Sequence, residues 1–247
     1  FSSTANNLVA GDINNAEDVF VRDMQTGIVT RVSVDSAGTQ ANSWSWFMDM
    51  TDDGRYITYI SYADNLVAGD TNYMADVFRH DNITGETIRI SVNSAGEQGD
   101  SHSDRGLNNI SNDGMVVVFA SLSQNLVPED YNDTYDVFVR DLNTNTTQAI
   151  SLYSSLTQIA PNSSSYNPSI SDDGQFVVYE SSAQNLTTDL NNFETNIFLY
   201  DRQTATTTRI STGINNTPAN LSSYNPVISG DGNTILFASA AYNLIEN

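Results

Sequence analysis

The dipeptide Asn-Leu stands at Asn7-Leu8, Asn65-Leu66, Asn125-Leu126, Asn185-Leu186 and Asn243-Leu244, at intervals of 58 to 60 residues. So regular an interval marks a chain built from copies of one supersecondary unit, each copy burying its apolar face against the next. Residues 51–91, 111–151 and 171–211 are full copies. The two ends share a further copy, because Phe1-Ser2-Ser3 lines up with Phe237-Ala238-Ser239.

Each copy reads as four short strands, A to D. Strand A precedes an Asp-Gly turn, as in Tyr166-Asn167-Pro168-Ser169-Ile170 and Tyr224-Asn225-Pro226-Val227-Ile228. Strand B follows the turn and is β-branched and aromatic, as in Tyr56-Ile57-Thr58-Tyr59-Ile60 and Val116-Val117-Val118-Phe119. Strand C is Asp76-Val77-Phe78-Arg79 and strand D is Thr87-Ile88-Arg89-Ile90-Ser91, with a tight turn at Asn82-Ile83-Thr84-Gly85 between them. Gly at Asp53-Gly54, Asp113-Gly114, Asp173-Gly174 and Asp231-Gly232 supplies the positive φ that a tight hairpin needs. No segment predicts a helix. The expectation is therefore all-β: a β-propeller of four-stranded antiparallel blades. It has four blades of about 60 residues, and both termini close the split one. The 247 residues form one domain, with repeats at 1–50, 51–110, 111–170 and 171–228, and 229–247 completing the first blade. One of the two duplicated end segments is surplus to such a ring. In a meander the A–B and C–D turns share one face. The long B–C and D–A connections share the other, which is where a binding site is expected.

The pattern S-x-D-G, N-L-V-x-x-D-x-N and D-V-F-V-R-D-x-x-T-G-x-T-x-R-I-S resembles the TolB-like group of bacterial β-propeller repeats, and it does so over nearly the whole chain. The resemblance implies a propeller fold in a secreted or periplasmic bacterial protein. Members of that group are mostly interaction platforms, and some sit beside catalytic domains. The unit lacks the Trp-Asp signature of WD repeats and is longer than theirs.

Charge narrows the partners. There are 30 Asp plus Glu against 9 basic residues, all Arg, for a net charge of −21. Such a chain is repelled by phosphate backbones and anionic lipid, so nucleic acid and membrane insertion are not expected. The 39% hydrophobic content places this charge on a folded surface. Without cysteine there is no disulfide, thiolate metal site or Cys nucleophile. The absence of Lys, the abundance of Asn, Ser and Thr, and the opening Phe1 are read as a processed or excised segment from a secreted or cell-surface bacterial setting.

The B–C loops carry the best constellation. Three copies read Asp-x-Asn-x-x-x-Asp, at Asp12, Asn14 and Asp18, at Asp70, Asn72 and Asp76, and at Asp130, Asn132 and Asp136. Short loops of carboxylate and amide oxygens suit Ca²⁺, although the Gly and Glu of an EF-hand are missing. The other reading is that these side chains form Asx-turns entering strand C. In the fourth copy Leu190, Asn192 and Asn196 take the three places, with Asp189 adjacent. Asp52-Asp53 and Asp172-Asp173 read as turn residues, since adjacent carboxylates do not converge as a glycosidase pair must. His80 reads as a surface strand residue, and His102 as a lone histidine in a D–A connection. Among the aromatics, Trp46, Tyr166 and Tyr224 are expected to be buried. Trp44 and Tyr153 are the candidates for ligand stacking.

The expected function is a non-enzymatic scaffold that binds a protein partner or assembles with itself, with Ca²⁺ as the candidate cofactor. The alternative is a carbohydrate-active module, binding glycans or acting as a polysaccharide lyase on the long-loop face.

Overall fold

In the computed structural model, residues 1–104, 109–128, 130–151, 163–188 and 193–245 are described. All strand pairs are antiparallel. Sheet 1 contains β1 (Ser2–Ser3), β2 (Asp18–Arg22) and β3 (Val29–Arg31). Sheet 2 contains β4 (Ser45–Met50), β5 (Tyr56–Ser61), β6 (Asp76–Asp81) and β7 (Thr87–Arg89). Sheet 3 contains β8 (Ser103–Asp104), β9 (Val116–Ser121), β10 (Asp136–Asp141) and β11 (Thr146–Ala149). Sheet 4 contains β12 (Ser165–Ile170), β13 (Phe176–Ser181), β14 (Asn196–Asp201) and β15 (Thr206–Arg209). Sheet 5 is the pair β16 (Ser223–Ile228) and β17 (Ile235–Ser239). The helical content of the described residues is one 3₁₀ turn, Ile214–Asn216.

Local chemistry sets each meander. The glycines of the Asp-Gly turns have φ of 71° to 74°. Asp53 then locks its turn, accepting hydrogen bonds from Thr51 Oγ1 at 2.6 Å and from the Arg55 amide at 2.9 Å. Strand A carries a bulge in sheets 2, 4 and 5. In sheets 4 and 5 the bulge holds Asn167-Pro168 and Asn225-Pro226, with both Asn residues at positive φ. Proline is tolerated there because it has no ladder hydrogen bond to donate.

The core lies between successive sheets. All six residues of β5 and of β9 are buried, since a sheet with a neighbour on each face exposes neither side of its inner strands. Aromatic pairs link strands B and C in register: Tyr59 on Phe78, Phe119 on Phe138 and Tyr179 on Phe198, with ring centroids 5.6 to 5.9 Å apart. Each buried ring contributes on the order of 1.5–3 kcal/mol. The sheets follow one another in chain order. Strand A of each sheet bonds to the preceding sheet at the entry of strand C, as in Ser103 N to Ala75 O and Ser165 N to Tyr135 O.

The Asn-Leu signature is a staple at these joints. The leucines Leu66, Leu126 and Leu186 are buried. Asn65 Nδ2 donates to Gln40 O and Asn125 Nδ2 to Gln98 O, each at 2.8 Å, tying a B–C loop to the D–A connection before it. Asn243 does the same to Pro218 O at 2.9 Å. The D–A connections are more ordered than their length suggests. They contain small hairpins closed by the bridges Val34↔Gln40 and Val92↔Gln98, with Gly38 and Gly96 at positive φ. Each hairpin packs on strand D of the next sheet, where Thr87 Oγ1 donates to Val34 O at 2.6 Å.

The duplicated ends take different places. Ser2 pairs with Val19 and Ser3 with Asp18, the register of Ile60 with Val77 and Ser61 with Asp76. Phe1 stacks on Phe20 at 5.7 Å, as the other B-strand rings do on theirs. Residues 1–3 therefore hold the strand B position beside β2. The expected closure by β17 is not the arrangement seen: among the described residues β17 pairs with β16 alone. The N-terminal segment reaches β2 through its own B–C loop, residues 4–17, which costs less closure entropy than bringing the far more distant β17 to it. Leu236 on β17 is 72% exposed, whereas Val118 and Val178 in the same register are fully buried.

Candidate functional site

The long-loop face carries two groups of side chains, an aromatic row and the acidic B–C loops. The row crosses from sheet 2 to sheet 3. Trp44, just before β4, lies 5.8 Å from Trp46, which lies 5.8 Å from Tyr62 just after β5, and Tyr62 lies 5.6 Å from His102 just before β8. Trp44 is 53% exposed, and Tyr62 is also open to solvent. Trp46 is half-buried, its indole N–H donating to Glu17 Oε2 at 3.0 Å. His102 Nδ1 accepts the Ala75 amide at 3.1 Å. Sequence singled out Trp44 but not Tyr62 or His102. The signal was present in aligned copies, where Trp44 and His102 share the place that Ser164 and Ser222 hold elsewhere.

Three other aromatic expectations resolve differently. Tyr166 and Tyr224 are partly exposed rather than buried, because each flanks a strand A bulge and points away from the inward Ser165 or Ser223. Tyr166 packs on Tyr135 at 5.0 Å. Tyr153 lies outside the described residues. His80 is buried rather than on the surface, since the sheet 1 hairpin covers β7 beside it. Its Nδ1 is 2.9 Å from Thr87 Oγ1, and burial lowers its pKa.

The acidic loops are built on one plan. Asn14, Asn72 and Asn132 each turn an Oδ1 to the amide two residues on and an Nδ2 to the Asp at the start of strand C. This is Asx-turn geometry. Those strand C residues, Asp18, Asp76 and Asp136, are buried, and each accepts a serine hydroxyl from strand D: Ser33 at 2.6 Å, Ser91 at 2.5 Å and Ser151 at 2.7 Å. Residues 15, 73 and 133 sit at φ of 54° to 57°, a conformation disfavoured for a residue as bulky as Tyr73.

The loops differ in what neutralises them. In sheet 1, Arg31 Nη1 is 3.6 Å from Asp12 and 3.7 Å from Asp18, and Gln40 donates to both at 2.8 Å. In sheet 2, Arg89 Nη1 is 3.5 Å from Asp70 and 3.1 Å from Asp76. Sheet 3 has Ala149 in that register, opposite Phe138 as Arg89 is opposite Phe78. In sheet 4, Asn196 replaces the strand C Asp and Arg209 is retained, its guanidinium 5.9 Å from the Phe198 ring. The other fourth-copy positions, 189, 190 and 192, lie outside the described residues. Burial pushes Asp136 up to about 7, and it pushes Asp70 up to about 6 despite the lowering effect of Arg89. Asp76 and Asp130 are raised for the same reason. Among the described residues, no group of three or more His, Cys, Asp or Glu side chains is placed to hold a metal ion. Any cation here would rest on two carboxylates plus amide, carbonyl or water oxygens.

No family model matches the chain, and no curated protein matches its sequence. Among solved structures it is similar to a putative TolB from Agrobacterium tumefaciens, at 14% identity and a TM-score of 0.51, over 91% of this chain and 66% of that one. The tricorn protease matches at 16% identity and a TM-score of 0.51, over 90% of this chain and 17% of that one. The fold is that of TolB-like and related β-propellers. TolB from Acinetobacter baumannii is also similar, at 15% identity and a TM-score of 0.48, over 92% of this chain and 46% of that one. The chain spans about half of the Acinetobacter TolB chain and two thirds of the Agrobacterium one. No helix among the described residues is long and apolar enough to cross a membrane.

Proposed function

We propose that this propeller is a non-catalytic binding scaffold, secreted or displayed on a bacterial surface, that receives its partner on the long-loop face. The observation that carries this reading is the row Trp44, Trp46, Tyr62 and His102, four rings within 6 Å of one another in sequence along that face. Tyr73, Tyr131 and Phe193 add exposed rings at the B–C loops. Aromatic groups with an open apolar side and a polar handle suit both protein and sugar surfaces.

The second reading is glycan binding, favoured by Trp44 and Tyr62, whose open faces could stack on a sugar ring. A glycan array probed with the intact chain and with Trp44→Ala separates the two. The glycan reading expects a hit weakened about tenfold or more in the variant, corresponding to an aromatic contact of about 1.5 kcal/mol. An array without hits removes the glycan reading and leaves a protein partner. Self-assembly is supported by the edge of β17 that is unpaired among the described residues, either through a second copy or through exchange of β17 for β1 in a closed four-blade ring.

A further inference from the structure

The acidic loop of sheet 3 lacks what its two predecessors have. In sheets 1 and 2 a single guanidinium nitrogen, Nη1 of Arg31 or Arg89, stands within 4 Å of both loop carboxylates. Sheet 3 keeps both carboxylates, Asp130 and Asp136, on the same Asx-turn and opposite the same strand D register, but there the side chain ends at the Cβ of Ala149. The Asp136 oxygens are used by Ser151 and Asn132. Asp130 is only 4% exposed, and among the described residues its Oδ1 accepts no hydrogen bond. A buried carboxylate oxygen without a donor is among the costlier arrangements a fold can hold. Here it also lies within electrostatic reach of three more carboxylates, Asp136, Asp100 and Asp133.

We infer that sheet 3 holds one hard divalent cation, of which Ca²⁺ is the type, between Asp130 and Asp136, where the arginine nitrogen stands in sheets 1 and 2. Two carboxylates match a divalent charge. All-oxygen donors select Ca²⁺ or Mg²⁺ over metals that want nitrogen or sulfur. Ca²⁺ accepts irregular geometry and completes its shell with carbonyl and water oxygens, whereas Mg²⁺ demands a near-ideal octahedron. Sheets 1 and 2 do not need the ion, because an internal cation already occupies its place. This inference stands apart from the partner-binding reading and survives or fails without it.

The test uses the whole chain, stripped with EDTA and then titrated with CaCl₂ or MgCl₂ by calorimetry, with the melting temperature read in parallel. The expected result is about one Ca²⁺ per chain, weaker binding of Mg²⁺, and a melting temperature that rises with Ca²⁺. Ala149→Arg, which rebuilds the arrangement of sheets 1 and 2, should abolish both the binding and the thermal shift. Asp130→Asn should do the same, and its Ca²⁺-free melt should show whether the variant remains folded. Three results would overturn the inference: no heat and no thermal shift with either ion, a stoichiometry near three, or Ca²⁺ binding that persists in both variants.

Discussion

The B–C loops of sheets 2 and 3 share a positive-φ residue at 73 and 133, the same Asx-turn and the same two carboxylates, yet one is closed by Arg89 and the other faces Ala149. A repeated fold thus fixes the geometry of an acidic pocket without fixing its charge. Sheet 4 completes the series in the opposite sense, with Arg209 retained and Asn196 in place of the strand C Asp. One structural plan carries carboxylates with a counter-ion in two blades, carboxylates without one in the third, and arginine without the strand C carboxylate in the fourth.

The largest expected effect comes from making sheet 2 resemble sheet 3. Arg89→Ala leaves Asp70 and Asp76 buried without their cation, which should cost about 3–5 kcal/mol in urea unfolding. If the vacated place behaves as inferred for sheet 3, CaCl₂ should recover much of that loss. Failure of calcium to do so would separate the two pockets.

A smaller effect tests the joints on either side of sheet 2. Asn65→Ala removes the staple from sheet 2 to the connection after sheet 1, and Asn125→Ala removes that from sheet 3 to the connection after sheet 2. Each should cost about 1 kcal/mol, more at the half-buried Asn65 than at the exposed Asn125. Equal losses in urea melts would show that burial does not set the strength of these staples.

The smallest effect is in acid. In sheet 2 the Arg55 guanidinium, 2.9 Å away, holds Asp81 well below the usual carboxylate range. Sheet 3 has Met115 in the place of Arg55, and its Asp141 is reached instead by Arg202 of sheet 4 at 2.6 Å. Burial raises Asp141, but the bond to Arg202 and the nearby amides outweigh it and the net shift is downward. A carboxylate whose folded pKa is depressed stabilises the fold above its unfolded value, near 4, and loses that contribution as pH falls through the folded value. Arg55→Ala and Arg202→Ala should therefore each flatten the loss of stability below about pH 4, read as chemical-denaturation midpoints at successive pH values. Solvent screening keeps the Arg55 effect small. An unchanged acid limb in both variants would remove these pairs from the account.

Much of the fold was legible in the chain because its determinants are local. Gly after Asp requires a tight turn, as at Gly54 and Gly114, and β-branched runs such as Val116-Val117-Val118 require a strand buried on both faces. The sixty-residue interval then dictates copies of one sheet. The candidate site was legible only in part. The Asp-x-Asn loops and Trp44 stand out by residue type, but Tyr62 and His102 join the row only when the end of one sheet meets the start of the next.

The sequence by itself determined the all-β class, the meander within each sheet, the turns, and the acidic character of the B–C loops. Backbone preference and apolar periodicity act over a few residues and repeat with the unit. Only the tertiary structure decided which duplicated end lies beside β2, why the Asn of each Asn-Leu pair matters, and which carboxylates have a cation. Those outcomes depend on groups separated in the chain: Arg89 on strand D reaches Asp70 in the B–C loop past the whole of strand C, and Phe1 meets Phe20 while Phe237, among the described residues, lies on an edge strand. Charge pairing and strand pairing are settled by distance in space, and that distance exists only once the blades have packed.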